Sequence, residues 1–326
     1  MKKIAFEEHI CRPQYMALRF TTPRGRANPF PLNPTEFERM GPLINDEGEL
    51  RLKDMDKYDI EKSALMSATN GFDYVDDPVE DKQNVMGFND FLFGEVIKKH
   101  PDRFMGFATL PMMDPNQAAE ELCRCMEMDG CIGAIVSGLL RPGRFLDEEE
   151  YMPVWEAAHK TKAFLYLHPT ETPEEIKGLY KNYECLNGST WSWGTDTATY
   201  VLRMIFSGVF DRYPDARLIV GHMGEMLPYV LERLDIRWKI SPLDSKNKLS
   251  PSEYIKRNIW ITTSGNPSAA AMKCAIEAIG SDKILFATDY PFEGMKEYSD
   301  FIENVDISEE DREKICWRNA EALFGA

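Results

Sequence analysis

The sequence predicts a parallel (β/α)8 barrel. Three observations carry this expectation. Eight short apolar runs recur along the chain, amphipathic helical patterns fill the intervals, and 326 residues suit a barrel of about 250 residues with insertions. The runs are Lys3–Phe6 (KIAF), Ser63–Met66 (SALM), Phe104–Thr109 (FMGFAT) and Ile132–Val136 (IGAIV), followed by Ala163–Leu167 (AFLYL), Arg217–Val220 (RLIV), Ile259–Thr262 (IWIT) and Ile284–Ala287 (ILFA). An open doubly wound sheet shows the same alternation, and counting strands does not separate the two.

Helical periods are expected over Asp81–His100, Asn116–Met128, Glu148–Lys160, Asp196–Phe210, Glu225–Trp238 and Ser268–Ile279. Ser308–Phe324 reads as a C-terminal helix with Ser308 as its cap, because a serine hydroxyl accepts from the free N–H groups of a first turn. Two stretches break the rhythm. Residues 11–48 are rich in Pro, Arg, Phe and Asn without a clean period. Residues 170–195 combine Pro, Gly and Asn with Tyr180, Trp191 and Trp193. Both follow strands, and loops after strands build the active-site face of a barrel. They are expected to be loops over the pocket, with surface decoration as the alternative. No repeat or second domain interrupts the pattern, so residues 1–326 are expected to form one domain.

A formal net charge of -16 excludes several partners. An acidic surface repels nucleic acid and anionic membranes. It also repels an anionic substrate, so a carboxylate would need a local cation, either a metal or an arginine. The seven cysteines fit no disulfide framework or zinc knuckle, and free thiols in a reducing compartment are expected. The N-terminal MKKIAFEEHI lacks the apolar core of a signal peptide, and no run approaches the ~20 apolar residues of a membrane helix. A cytoplasmic protein is expected.

Three of the five histidines, His9, His168 and His222, stand at or just past strand ends, where a barrel brings distant residues together. Side chains alternate along a strand, so Glu7 and His9 point the same way and Glu8 points away. Strand five ends at His168 and strand eight at Asp289. Glu7, His9, His168 and Asp289 make a set of two imidazoles and two carboxylates, suited to one Zn²⁺ or Mn²⁺ with room for substrate or water. Alone, each has a plain structural reading as a core histidine, a turn or a salt bridge. Convergence at strands one, five and eight is what points to a metal. His222 lies where GHMGE turns into a helix, and Glu225 is placed either to orient its imidazole or to cap that helix. Arg233, about two turns further on, could pair with a substrate carboxylate or with an acidic neighbour across a subunit contact.

These residues resemble the decarboxylase branch of the amidohydrolase superfamily, which includes the γ-resorcylate, 2,3-dihydroxybenzoate and aminocarboxymuconate-semialdehyde decarboxylases. The resemblance runs through IAFEEH, RLKDMD at Arg51–Asp56, HPDRFMGFATLPMMDP, STWSWGTDTA, SGVFDRYP, GHMGEMLPY, ITTSGN and ILFATDYPFE. It implies that Glu7, His9, His168 and Asp289 bind the metal and that His222 with Glu225 forms the catalytic pair beside it. Glu-x-His replaces the His-x-His of ordinary amidohydrolases, and no lysine stands at Val136-Ser137-Gly138, which implies a mononuclear site. Ser137 stands where similar enzymes commonly carry Asn, and Trp193 takes the place of their substrate-facing aromatic. The implied reaction is nonoxidative decarboxylation of a small hydroxylated aromatic acid, with Asp289 delivering a proton to the ring before CO2 leaves. Hydrolysis of an ester, lactone or amide on the same barrel is the alternative. The resemblance also implies a homodimer or homotetramer.

Overall fold

The computed structural model describes residues 1–22, 34–68 and 75–325. Its main sheet has eight parallel strands, in chain order β1 (Lys3–Ile10), β2 (Ile60–Ser67), β3 (Phe104–Ala108), β4 (Cys131–Val136), β5 (Phe164–Leu167), β6 (Arg217–Val220), β7 (Ile259–Thr262) and β8 (Ile284–Leu285). A bridge between Phe6 and Ala287 joins the last strand to the first, and the Phe6 N–H donates to the Phe286 carbonyl at 2.9 Å. The sheet closes into a barrel, which decides against the open doubly wound arrangement. All eight apolar runs are strands.

Alternation along the strands divides the core into two layers. Ile4, Phe6, Ala64, Met66, Phe107, Tyr166, Ile219, Leu285 and Ala287 fill the barrel interior. Their neighbours Ala5, Leu65, Leu165, Leu218 and Val220 pack outward under the helices. Burial on both faces is why the runs are continuously apolar. Ser308 caps the C-terminal segment by accepting from the Asp311 N–H. That segment closes one mouth of the barrel, where Phe324 packs on Phe6 and Phe164 at ring separations of 5.3 and 4.9 Å.

Residues 11–48 are not the loop expected from sequence. Helices span Pro13–Thr21 and Pro34–Ile44, and a third, Glu49–Lys57, follows directly. Residues 23–33 of that stretch lie outside the described residues. Proline opens the first two helices because its fixed φ suits a first turn and its missing N–H costs nothing there. Their apolar faces are sparse, burying only Met16, Met40 and Ile44 with Cys11 in a small satellite core, so no strong period shows in the sequence. Residues 170–195 form a chain of short turns, and the next helix starts at Ser192 rather than Asp196. Trp193 therefore lies in a first helical turn. Helices Pro251–Asn258 and Met295–Asn304 were not anticipated, although Ser250 and Glu253 form a capping box before the former. No helix among the described residues is long and apolar enough to cross a membrane.

Candidate metal centre and catalytic pocket

The site begins with an irregularity in β1. Ala5 pairs with Ser63 and Glu8 with Leu65, so three steps on β1 match two on β2, and Glu7 has φ 71°. This is a β-bulge, one extra residue that turns the strand. Ile4 and Phe6 face the barrel interior, so an unbroken strand would send Glu8 inward and Glu7 and His9 out. The bulge reverses that parity beyond Phe6, and Glu7 and His9 both enter the pocket.

Glu7, His9 and His168 each offer a donor atom, and these atoms lie within 4.8 Å of one another. Asp289, with φ 60°, brings its Oδ1 to 3.2 Å from His9 Nε2. Glu7 Oε1, His9 Nε2 and Asp289 Oδ1 are buried and have no hydrogen-bond partner among the described residues. Buried polar atoms are almost always satisfied, so three orphans aimed at one point mark a place for a ligand. Their chemistry, two carboxylates and two imidazoles with no thiolate, fits a borderline or hard divalent ion. Opposite ligands on ~2.1 Å bonds stand about 4.2 Å apart, so closing from 4.8 Å takes only a small shift of side chains.

Hydrogen bonds fix the far atom of each donor. His9 Nδ1 faces the Ser67 carbonyl at 3.2 Å, and His168 Nδ1 faces the Pro169 carbonyl at 2.9 Å. Both leave Nε2 for the centre. Burial lowers His9 to about 4 and His168 to about 3, so both imidazoles are neutral near pH 7. Glu7 Oε2 accepts from Thr262 at 3.1 Å and from Ser264. The motif ITTSGN supplies these hydroxyls. The two-residue spacing of Thr262 and Ser264 at a strand end was the available signal, and sequence reasoning gave them no role.

His222 and Glu225 form the second part of the site. His222 Nδ1 lies 2.5 Å from Glu225 Oε1, and its Nε2 lies 3.3 Å from Glu7 Oε1 and 3.9 Å from Asp289 Oδ2. Burial would lower this imidazole, but Glu7, Glu225 and Asp289 outweigh it and raise the group well above the ordinary value. Burial and the charge of Glu7 raise Asp289 well above the usual aspartate range, although His222 opposes them. Burial opposes ionisation of Glu7 too, but the charge of His222 and the hydrogen bond from Ser264 more than offset it and hold Glu7 low. Of the two carboxyls, Asp289 is therefore the one pushed toward the protonated form and Glu7 the one pushed toward the ionised form. Gly265 gives His222 its room, since a Cβ at 265 would lie 2.3 Å from the imidazole Cδ2.

The remaining sequence candidates are more dispersed. Ser137 is buried at the end of β4 with its Oγ unpartnered among the described residues. Trp193 is half-buried, next to Gly194, where a Cβ would lie 2.9 Å from Glu225 Oε2. Arg233 is exposed on helix Leu227–Ile240 and makes no ion pair recorded among the described residues. Phe292, not singled out from sequence, packs edge-on against His9 at 5.0 Å.

A family profile described as Amidohydrolase matches residues 47–326. The chain belongs to the amidohydrolase family. Within it, this amidohydrolase is 40% identical over 288 residues to the gamma-resorcylate decarboxylase of Polaromonas sp. strain JS666, covering 86% of this chain and 87% of the relative. A solved 2,6-dihydroxybenzoate decarboxylase complexed with 2,6-dihydroxybenzoate has a TM-score of 0.92 at 34% identity, with both chains covered fully (100%). The dihydroxybenzoic acid decarboxylase from Polaromonas sp. JS666, solved with bound manganese and the inhibitor 2-nitroresorcinol, has a TM-score of 0.91 at 35% identity, covering 99% of this chain and 97% of that one.

Proposed function

We propose that this amidohydrolase is a carboxy-lyase that removes CO2 from a dihydroxylated benzoate, using one divalent ion held by Glu7, His9, His168 and Asp289. The observation that carries this reading is the convergence of three orphaned buried donor atoms beside His168 and the His222–Glu225 pair. The relatives it matches over most of their length are decarboxylases, which weighs against hydrolysis on the same barrel. Manganese in a similar enzyme favours Mn²⁺ over Zn²⁺.

When bound, the ion supplies the positive charge that an aromatic carboxylate and its neighbouring phenolic oxygen need in an acidic protein. The chain's own groups handle the proton. Asp289 delivers it to the ring carbon that bears the carboxylate, and the ring loses aromaticity. The bond to the carboxylate carbon then breaks, its electron pair returns to the ring, and CO2 departs. His222, oriented by Glu225, donates a hydrogen bond to the phenolic oxygen as charge shifts onto it. Phe292 and Trp193 contribute apolar walls that limit water, and Ser137 offers a hydroxyl at the pocket edge.

The seven thiols are all free, which suits a reducing cytoplasm. Helix Leu227–Ile240 exposes Tyr229, Ile236 and Ile240 as well as Arg233, a face that a homodimer or homotetramer would cover. The reading is tested by reloading chelated protein with Mn²⁺ or Zn²⁺ and offering mono- and dihydroxybenzoates, 2,6-dihydroxybenzoate first. Metal-dependent release of CO2 with the matching phenol is expected. Turnover of lactones or esters with no hydroxybenzoate consumed would overturn it.

A further inference from the structure

The donor atoms converge at the seam where β8 meets β1, and that seam is built unusually. Two backbone bonds cross it, from the Phe6 N–H to the Phe286 carbonyl at 2.9 Å and from the His9 N–H to the Tyr290 carbonyl at 2.6 Å. Between them β1 has Glu7 and Glu8, while the other side has Ala287, Thr288 and Asp289. The two sides are out of step, and Glu7 and Asp289 both take positive φ there. The Ala287 N–H donates away from the seam, to the Thr263 hydroxyl at 2.9 Å, and the Thr288 N–H, buried like it, demands an acceptor too.

The Glu8 side chain fills this gap. It is fully buried, and its Oε1 accepts from the Thr288 N–H at 3.0 Å. The Thr288 hydroxyl lies 3.0 and 2.9 Å from the two carboxylate oxygens. Glu8 thus stands in for the missing backbone acceptor, one residue from both Glu7 and His9 on its own strand and opposite the residue before Asp289. Arg51 completes the arrangement. Its buried guanidinium donates to the His9 carbonyl at 2.5 Å and lies over the Tyr290 ring at 4.8 Å. Neither Glu8 nor Arg51 offers an atom to the donor cluster.

We propose that Glu8, Thr288 and Arg51 are positioning residues, a clamp on the seam that sets the spacing of His9 and Asp289 and so governs affinity for the divalent ion. The clamp rests on the reading that Glu7, His9, His168 and Asp289 share that ion. Left-handed backbone at Glu7 and Asp289 persists only where its surroundings over-determine it. Bonds donated by Thr288 to Glu8 and by Arg51 to His9 provide that constraint on the two sides of the seam.

The test uses the full chain, chelated and then titrated with Mn²⁺ while the free ion is followed by its EPR signal. T288V removes the hydroxyl, E8Q removes one carboxylate acceptor, and T288S keeps the hydroxyl. T288V and E8Q are expected to weaken Mn²⁺ binding by about 10- to 100-fold, the usual effect of losing a partner behind a metal ligand. Metal-free melting curves should stay cooperative, and T288S should recover most of the affinity. Folded T288V and E8Q proteins that bind Mn²⁺ as tightly as the parent would overturn the clamp while leaving the metal centre intact. Should T288V not fold, E8Q decides alone. A parent chain that binds no Mn²⁺ would instead overturn the metal centre, and the clamp with it.

Discussion

Glu7, His222, Glu225 and Asp289 all adopt positive φ, at 71°, 50°, 49° and 60°. Each such conformation costs a non-glycine residue roughly 1–3 kcal/mol, so four around one pocket point to side-chain placement as the reason. The placement pushes Asp289 toward its protonated form and gives His222 a partner in Glu225. D289N is expected to lower kcat by about 10²–10⁴-fold, the scale of general acid catalysis, in a protein that remains folded. E225Q loosens His222 without touching substrate and is expected to cost about 10- to 100-fold. Steady-state kinetics on the reloaded variants checks both. Asp196 is a buried carboxyl near the start of helix Ser192–Ser207. Burial pushes its carboxyl from the ordinary 3.8 up to about 6, and its Oδ2 has no partner among the described residues. A raised carboxyl favours the protonated folded state, so its contribution is fully present below pH 3.8 and is lost as pH rises through about 6. D196N is expected to flatten the stability profile over that window and to be at least as stable as the parent above it, as read by thermal melts against pH.

Among the elements, the strands were legible because they are buried on both faces and read as unbroken apolar runs. The donors were legible in part for the same reason: His168 and Asp289 follow such runs directly. Glu7 and His9 were correctly placed on one side by alternation. The bulge that turns this side inward was not visible, because it depends on how β1 registers against β2 rather than on any local residue. Helices Pro13–Thr21 and Pro34–Ile44 were missed because they bury so little apolar surface. The second nevertheless reaches the site, since Arg39 donates to the Pro291 and Phe292 carbonyls just after Asp289. The turn after β7 is equally particular. Gly265 has φ 64° and lies against His222, so G265A must displace the imidazole. A misplacement of about 1 Å is enough for about a 10²-fold loss in kcat, which is the effect expected here. An unchanged kcat in G265A would show that the His222 position is not critical.

For the molecule as a whole, buried acid at one end of the barrel makes the cation part of the folded state's stability. An ion that binds only the folded chain adds about 2.7 kcal/mol at 100 times its Kd. Differential scanning calorimetry is expected to show a melting temperature that climbs with Mn²⁺ concentration and falls on chelation. The net charge of -16 made a local cation necessary for any carboxylate substrate, and that much was readable from composition alone. The clamp at the barrel seam was not readable, since it joins residues 280 positions apart in sequence. The most direct test of the central claim is anomalous scattering from crystals grown with Mn²⁺. The expected result is a single peak about 2.0–2.2 Å from Glu7 Oε1, His9 Nε2, His168 Nε2 and an Asp289 oxygen. A peak elsewhere, or four side chains bonded to one another around no metal, would contradict the account.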